Sequence, residues 1–243
     1  MKLTDFKVLS FDCYGTLIDW ETGLWAALQP LIESNRSTIS RDATLETFGA
    51  LESEQQAQTP NLLYRDLLAR VHATLAAQWS APPNEARDRA FGASIGNWPA
   101  FPDSAQALAY LKRHYKLVIL SNVDRQSFAA SNKKLAVAFD AIRTAEDIGS
   151  YKPNPKNFED LIATVRALGH DKSEILHTAQ SLFHDHAPAE RIGLARCWIN
   201  RRGDKGEGSG ATRPVAAIPK LDFEFPTLAA MAEQHKREQE AGR

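Results

Sequence analysis

The sequence predicts an α/β protein, a parallel sheet packed with helices and carrying an all-helical insertion after its first strand. Three observations point that way. Apolar runs of about four to six residues alternate with stretches of helical period, the pattern of βα units. About eighty residues, 20–98, separate the first run from the second and hold no convincing strand. Polar residues follow the runs at their carboxyl ends, where open parallel sheets place ligands.

The runs read as strands in chain order. Lys7-Val8-Leu9-Ser10-Phe11 is the first and Leu117-Val118-Ile119-Leu120 the second. A weaker one spans Phe139 to Thr144, followed by Glu174-Ile175-Leu176-His177 and Ala195-Arg196-Cys197-Trp198-Ile199. Their length and flanks favour strand over buried helix. Asp103 is placed to cap a helix with Ala107, Leu108 and Leu111 on its apolar face. Asn154-Pro155 starts another, with Phe158, Leu161, Ile162, Val165 and Leu168 as its buried stripe and Gly169 as its stop. Pro188 opens a short helix that ends at Gly193. Within 20–98, Thr22 precedes Leu24, Trp25, Leu28, Leu31 and Ile32, and Pro30 is expected to kink or break that helix. Ser40 precedes Leu45, Phe48 and Leu51; Leu63, Leu67, Leu68, Val71 and Leu75 form a further stripe; Pro82-Pro83-Asn84 is a turn and cap. The expected division is 1–19 with 99–243 as the core and 20–98 as a helical cap domain, against a long helical crossover packed on the sheet.

Composition narrows the function. The chain has 243 residues, 43% hydrophobic and 24% charged, ordinary for a globular protein with a sizeable core. Lys plus Arg is 29 and Asp plus Glu 30, a net charge of −1, which leaves no electrostatic footprint for nucleic acid or an anionic membrane. Two cysteines, Cys13 and Cys197, exclude a disulfide scaffold. No apolar run approaches a membrane span, and the first residues do not read as a secretory signal, so a cytoplasmic enzyme is expected.

Four segments carry the chemistry. Asp12 leaves the first strand into the turn Cys13-Tyr14-Gly15-Thr16, and a carboxylate buried there needs a cation or backbone donors. Ser121-Asn122 offers hydroxyl and amide donors for an anion. Lys152 is held out of helical geometry by Pro153. Asp185 lies between His184 and His186, with His177 and Gln180-Ser181 before it. A metal site on those histidines lacks a second carboxylate or cysteine cluster.

The order Asp turn, Ser/Asn, Lys-Pro, Asp resembles the haloacid dehalogenase-like hydrolase superfamily, most closely its L-2-haloacid dehalogenase (type II) branch, over residues 6–20 and 99–202. The resemblance implies a Rossmann-like core, a helical lid and a covalent aspartyl intermediate. It makes Asp12 the nucleophile, Thr16 an aid in binding the anion, and Ser121 and Asn122 the second motif. Lys152 becomes the cation that neutralises Asp12 and the substrate, and Asp185 the carboxylate that positions or activates water. Tyr14, Gln180, Ser181 and Trp20 complete the expected substrate contacts. Trp20, Trp25 and Phe48 read as apolar wall or core.

The departures from the superfamily's phosphatases decide the expected reaction. Tyr14 stands where they carry a second aspartate, and Gln180 where they carry an acidic Mg²⁺ ligand. A halide leaves as a stable anion and needs no general acid, and a neutral amide weakens a Mg²⁺ site. The expected activity is therefore cofactor-free hydrolytic dehalogenation of a small 2-haloalkanoic acid. A Mg²⁺-dependent small-metabolite phosphatase and a catalytically weak binding protein are the alternatives. The branch's substrate-gripping arginine has no clear counterpart: Arg36, Arg41 and Arg65 lie in the insertion, none at a matching spacing. Homodimers are common in that branch, though the sequence marks no dimer face.

Overall fold

The computed structural model describes residues 1–35, 39–203 and 215–242. Six parallel strands form one sheet in the order β3-β2-β1-β4-β5-β6. They are β1 (Val8–Phe11), β2 (Lys116–Ser121), β3 (Ala141–Thr144), β4 (Ile175–Ala179), β5 (Ala195–Ile199) and β6 (Phe223–Phe225). The chain moves outward from β1 through β2 to β3, then returns to β4 on the other side of β1. That reversal opens a crevice at the carboxyl ends of β1 and β4, the place where such Rossmann-like sheets bind ligands.

The sheet is covered on both faces because its strands are apolar on both. In β2, Val118 and Leu120 point into one core with Val8, Phe158, Leu161 and Val165. Leu117 and Ile119 point into the other with Leu9 and Phe11, as the twofold period of a strand requires. The first core is roofed by α8 (Pro155–Ala167) and α9 (Ala187–Arg191). On the other face lie α5 (Ser104–Leu111), α6 (Arg125–Leu135) and α10 (Leu228–Ala241); α7 (Ala145–Ile148) is a single turn after β3. The strand β6, only three residues long, and the helix α10 went unread in the sequence.

Within 20–98 the described residues form four α-helices and no strand of the sheet: α1 (Trp20–Ser34), α2 (Arg41–Gln58), α3 (Tyr64–Gln78) and α4 (Glu85–Gly92). Ser40 and Asn84 cap α2 and α4 by accepting from Ala43 N and Arg87 N. Two expectations are corrected. Helix α1 starts at Trp20, capped by Asp19, and runs through Pro30 to Ser34; burial of Leu28, Leu31 and Ile32 around the proline outweighs its cost of about 3 kcal/mol. Asp103 precedes α5 but does not cap it with its side chain. Its carboxylate instead receives Arg201 Nη1 at 2.7 Å and Ala229 N at 3.0 Å, tying α5 to the end of the sheet and to α10.

Helices α3 and α4 approach so closely that a Cβ on Gly92 would stand 2.1 Å from the Arg65 carbonyl oxygen. Gly92→Ala is therefore expected to destabilise the protein by about 1–3 kcal/mol, the overpacking cost, despite alanine's better helix propensity. A urea titration showing a lower midpoint at unchanged slope checks this, and an unchanged midpoint contradicts the close approach.

Candidate active site

Asp12 stands one residue past β1. Its backbone N donates to Thr178 O on β4 at 3.1 Å, which extends the β1–β4 pairing and aims the side chain into the crevice. The turn that follows needs Gly15, whose φ is +92°, a conformation that side chains with a Cβ rarely adopt. A Cβ there would also press on Gln180 Oε1 at 3.1 Å and Trp20 Nε1 at 3.2 Å.

Three sequence-distant side chains converge. Lys152 Nζ donates to Asp12 Oδ1 at 2.9 Å, Asp185 Oδ1 at 2.7 Å and Leu120 O at 2.9 Å. All three ammonium protons are thereby used, in a side chain 1% exposed. Asp12 Oδ2 accepts from Thr16 Oγ1 at 2.8 Å. Asp185 Oδ1 is also bonded to His177 Nε2 at 2.9 Å, and His177 Nδ1 meets Ser10 Oγ at 2.9 Å. Asp185 Oδ2 is buried and has no partner.

The two carboxylates titrate apart. Burial pushes Asp12 above its ordinary value; Lys152 opposes this and the Asp185 charge adds to it. Burial acts on Asp185 too, but Lys152 and His177 override it and hold that carboxyl well below the usual range. Lys152 is raised, because the two carboxylates outweigh its own burial. One ammonium is thus shared between two carboxylates, and Asp185 takes the larger benefit.

Other expected residues land in the site with altered work. Thr16 is fully buried, donating to Asp12 and accepting from Gln180 N at 3.0 Å, so its hydroxyl orients the aspartate and is not offered to an anion. Asn122 spends its amide on Lys152, accepting from its N at 2.6 Å and donating to its O at 3.0 Å. It is a positioning residue for the lysine. Ser121 Oγ is buried with no partner and lines the cavity, which leaves it available to a ligand. Ser181 Oγ accepts from His184 N at 3.0 Å and so caps the π-helical turn Leu182–His186 that carries Asp185.

Asp12, Ser121, Asn122, Lys152 and Asp185 line a cavity of about 60 Å³, together with Tyr14, Trp20, Gln180, Ser181 and His184. One water needs roughly 10–15 Å³ by a comparable measure, so the space suits a ligand of a few heavy atoms. Phe48 is packed edge-on against Trp20 as core and does not line the cavity; Trp25 packs at the margin of the same core. The described residues hold no cluster of three or more His, Cys, Asp or Glu that could bind a metal. His186 donates instead toward Ala179 O, and burial pushes it down to about 4.

The far wall is the part that sequence reading missed. Glu52 and Gln56 of α2 and Tyr64 of α3 close the cavity from the insertion. Glu52 Oε1 accepts from Tyr64 Oη at 2.6 Å and Gln56 Nε2 at 3.3 Å. A signal existed: Leu45, Phe48 and Glu52 share one face of α2, so a carboxyl sits on a buried stripe. Among the described residues no arginine lines the cavity. Arg41 is exposed and donates to Thr22 Oγ1, Arg65 points to Gln126 of α6, and Arg36 lies outside the described residues.

Known proteins share this architecture. A family model for haloacid dehalogenase-like hydrolases matches residues 6–178. The (S)-2-haloacid dehalogenase of Pseudomonas sp. (strain YL) is 29% identical over 249 residues, covering 94% of this chain and 98% of that protein. Among solved structures, an L-2-haloacid dehalogenase from Xanthobacter autotrophicus matches with a TM-score of 0.77 at 20% identity, over 96% of this chain and 99% of its own. The same enzyme with chloropropionic acid covalently bound matches at 0.74 and 18% identity, over 95% and 98%.

Removing the shared ammonium is the sharpest probe of the cluster. Lys152→Met keeps the length and strands two buried carboxylates, a change that typically costs about 3–5 kcal/mol. Turnover is expected to fall by roughly two or more powers of ten, at about 1.4 kcal/mol each. Without the cation Asp12 rises further, so the acidic limb of the rate profile moves to higher pH. A rate profile over pH 4–9 checks both, and wild-type kcat with an unmoved limb contradicts the assignment.

Proposed function

The chain belongs to the haloacid dehalogenase-like hydrolases, and within that family we propose that it releases halide from a small 2-haloalkanoic acid through an aspartyl ester. The observation that carries this reading is the convergence of Asp12 and Asp185 on Lys152 Nζ, with Asp185 Oδ2 left unpartnered and no second carboxylate at Tyr14. The near-full-length relationship to an (S)-2-haloacid dehalogenase supports it. The helices of 20–98 act as a cap domain that closes the crevice.

The reaction has two steps. An Asp12 carboxylate oxygen attacks C2 in line, forming a C–O bond as the carbon–halogen bond breaks and halide departs with its electron pair. Asp12 needs no base, only to be ionised and dry, and Thr16 and Lys152 fix its two oxygens. Water then adds to the ester carbonyl carbon of Asp12. Asp185, held ionised, orients this water through Oδ2. Its depressed pKa makes it a better acceptor of a hydrogen bond than of a full proton. The negative charge that builds on the ester oxygens lies beside the ammonium, which is already in place. Collapse breaks the bond between the Asp12 carbonyl carbon and the substrate oxygen; of the water's two protons one passes to that oxygen and one to solvent, returning Asp12 as a carboxylate and a 2-hydroxy acid.

We further read the site as independent of metal. Gln180 puts a neutral side chain where an acidic Mg²⁺ ligand is needed, and the ammonium of Lys152 already occupies the space between the two carboxylates. The setting is the cytoplasm; both cysteines are free and buried, and no helix among the described residues is long and apolar enough to cross a membrane.

Two measurements test the proposal. Quenching a reaction with 2-chloropropionate in acid should trap an adduct on the peptide containing Asp12, and Asp12→Asn should lose turnover while melting like the wild type. An adduct elsewhere removes the mechanism. Halide release should be equal in excess chelator and in Mg²⁺; phosphate release restored by Mg²⁺ would make the phosphatase reading the better one.

A further inference from the structure

We propose that Glu52 is a specificity-determining residue that holds the substrate's carboxylate as a neutral acid, so that a monoanionic short-chain acid and one proton are bound together. This rests on the proposed dehalogenase reading for its substrate and on the cavity for its physics.

Start with charge. The cavity contains Asp12 and Asp185 against a single lysine. That lysine has no proton left to give, since its three bonds run to Asp12, Asp185 and Leu120 O. An incoming carboxylate therefore finds no free cation among the lining residues and must be held by neutral donors. On the sheet side the buried, unpartnered Ser121 Oγ is one. On the insertion side the candidate is Glu52, the acid on which the Tyr64 hydroxyl and one of the two Gln56 amide protons converge.

Both of those bonds end on Oε1, which leaves Oε2 as the oxygen to carry a proton. The side chain sits in a residue 6% exposed, with no ion-pair partner among the described residues. The groups packed beside it bring no cation. Tyr64 of α3 and Tyr151 ahead of α8 are neutral phenols raised by burial. Tyr14 from the β1 turn is another. Across the cavity stand Asp12, Asp185, Lys152 and His184. Burial accordingly pushes Glu52 up to about 7, with only the Tyr64 bond opposing it. A protonated carboxyl donating to an anion in an apolar pocket is an established device for keeping an acid neutral near pH 7. Ionised, the same group would be a third carboxylate and would repel the ligand. It would then select an amide or amine instead.

The test is proton-linked binding, read without turnover. Racemic lactate, the hydroxy acid corresponding to 2-chloropropionate, is titrated into the protein calorimetrically at pH 6, 7 and 8, in buffers of different ionisation enthalpy. With Glu52 near 7, about 0.9 proton should be taken up per lactate at pH 8 and about 0.1 at pH 6. Affinity should fall about tenfold per pH unit above 7. Glu52→Gln retains a donor and cannot titrate, so its proton uptake should vanish and its affinity lose the pH slope. Glu52→Ala should bind lactate at least tenfold more weakly at pH 6. Circular dichroism confirms that each variant is folded; a purely structural glutamate would not move the proton count.

Absence of proton uptake in the wild type, uptake persisting in Glu52→Gln, no lactate binding at any pH, or lactamide binding that tightens as pH rises would each overturn the proposal. Halide release from 2-chloropropionate is followed in parallel. Halide release without proton-linked lactate binding sinks the role of Glu52 alone. Proton-linked binding without halide release sinks the dehalogenase reading and leaves Glu52 as the carboxylate's partner.

Discussion

The ammonium of Lys152 fixes the site. It is buried, and it holds Asp12, Asp185 and the carbonyl of Leu120 within 2.9 Å. Those partners come from the ends of β1, β4 and β2, and the lysine arrives from the segment ahead of α8. The order of the strands brings these ends together, and the charges make their meeting specific. Bringing three charges out of water costs several kcal/mol per ion before any attraction is counted. Such a cluster persists because every polar atom but one finds a partner. That one is Asp185 Oδ2, buried and without a partner.

The surrounding contacts follow from this constraint. Asn122 clamps the backbone of Lys152 from both sides. Thr16 links Asp12 to the backbone of Gln180, joining the β1 turn to the β4 turn. His177, fully buried on β4, reaches across the β1–β4 register to Ser10 and stabilises Asp185 from behind. Each hydrogen bond restricts where the carboxylates can point. That restriction matters for in-line attack, where an ångström of misplacement costs orders of magnitude in rate.

Legibility in the sequence follows the range of the interaction. The five long strands, the caps at Ser40, Asn84 and Asn154, and the placement of Asp12, Lys152 and Asp185 beyond strand ends were readable, because each depends on a local pattern of a few residues. The division of labour was not. Thr16, Asn122 and Ser121 all read as anion donors, yet only Ser121 keeps its hydroxyl free. Thr16 gives its proton to Asp12 in the same turn and accepts from Gln180 N far along the chain, while Asn122 spends its amide on Lys152, thirty residues on. Glu52 was passed over because an acid in a helix is normally solvated; only the packing of α2 against α3 turns that face inward. Pro30 shows the reverse, a strong local signal overridden by burial on both sides of it.

The charge balance also bears on which leaving group the site can serve. One ammonium against two carboxylates leaves the cluster with a formal charge of −1 before substrate arrives. A monoanion raises that to −2, within reach of neutral donors such as Ser121 and a protonated carboxyl. A phosphate monoester brings close to two further charges near neutral pH, and its departing alkoxide needs protonation. Without a divalent cation, the energy of stacking such charges in a dry cavity grows faster than the number of hydrogen bonds available to offset it. Tyr14 supplies no acid at the position next to the nucleophile, since its hydroxyl is bonded to Ser131 and burial raises its pKa. Halide displacement makes neither demand: the leaving group departs charged and stable, and the nucleophile only has to be ionised and aimed. The fold can host either chemistry, and the count of charges around Lys152 selects between them.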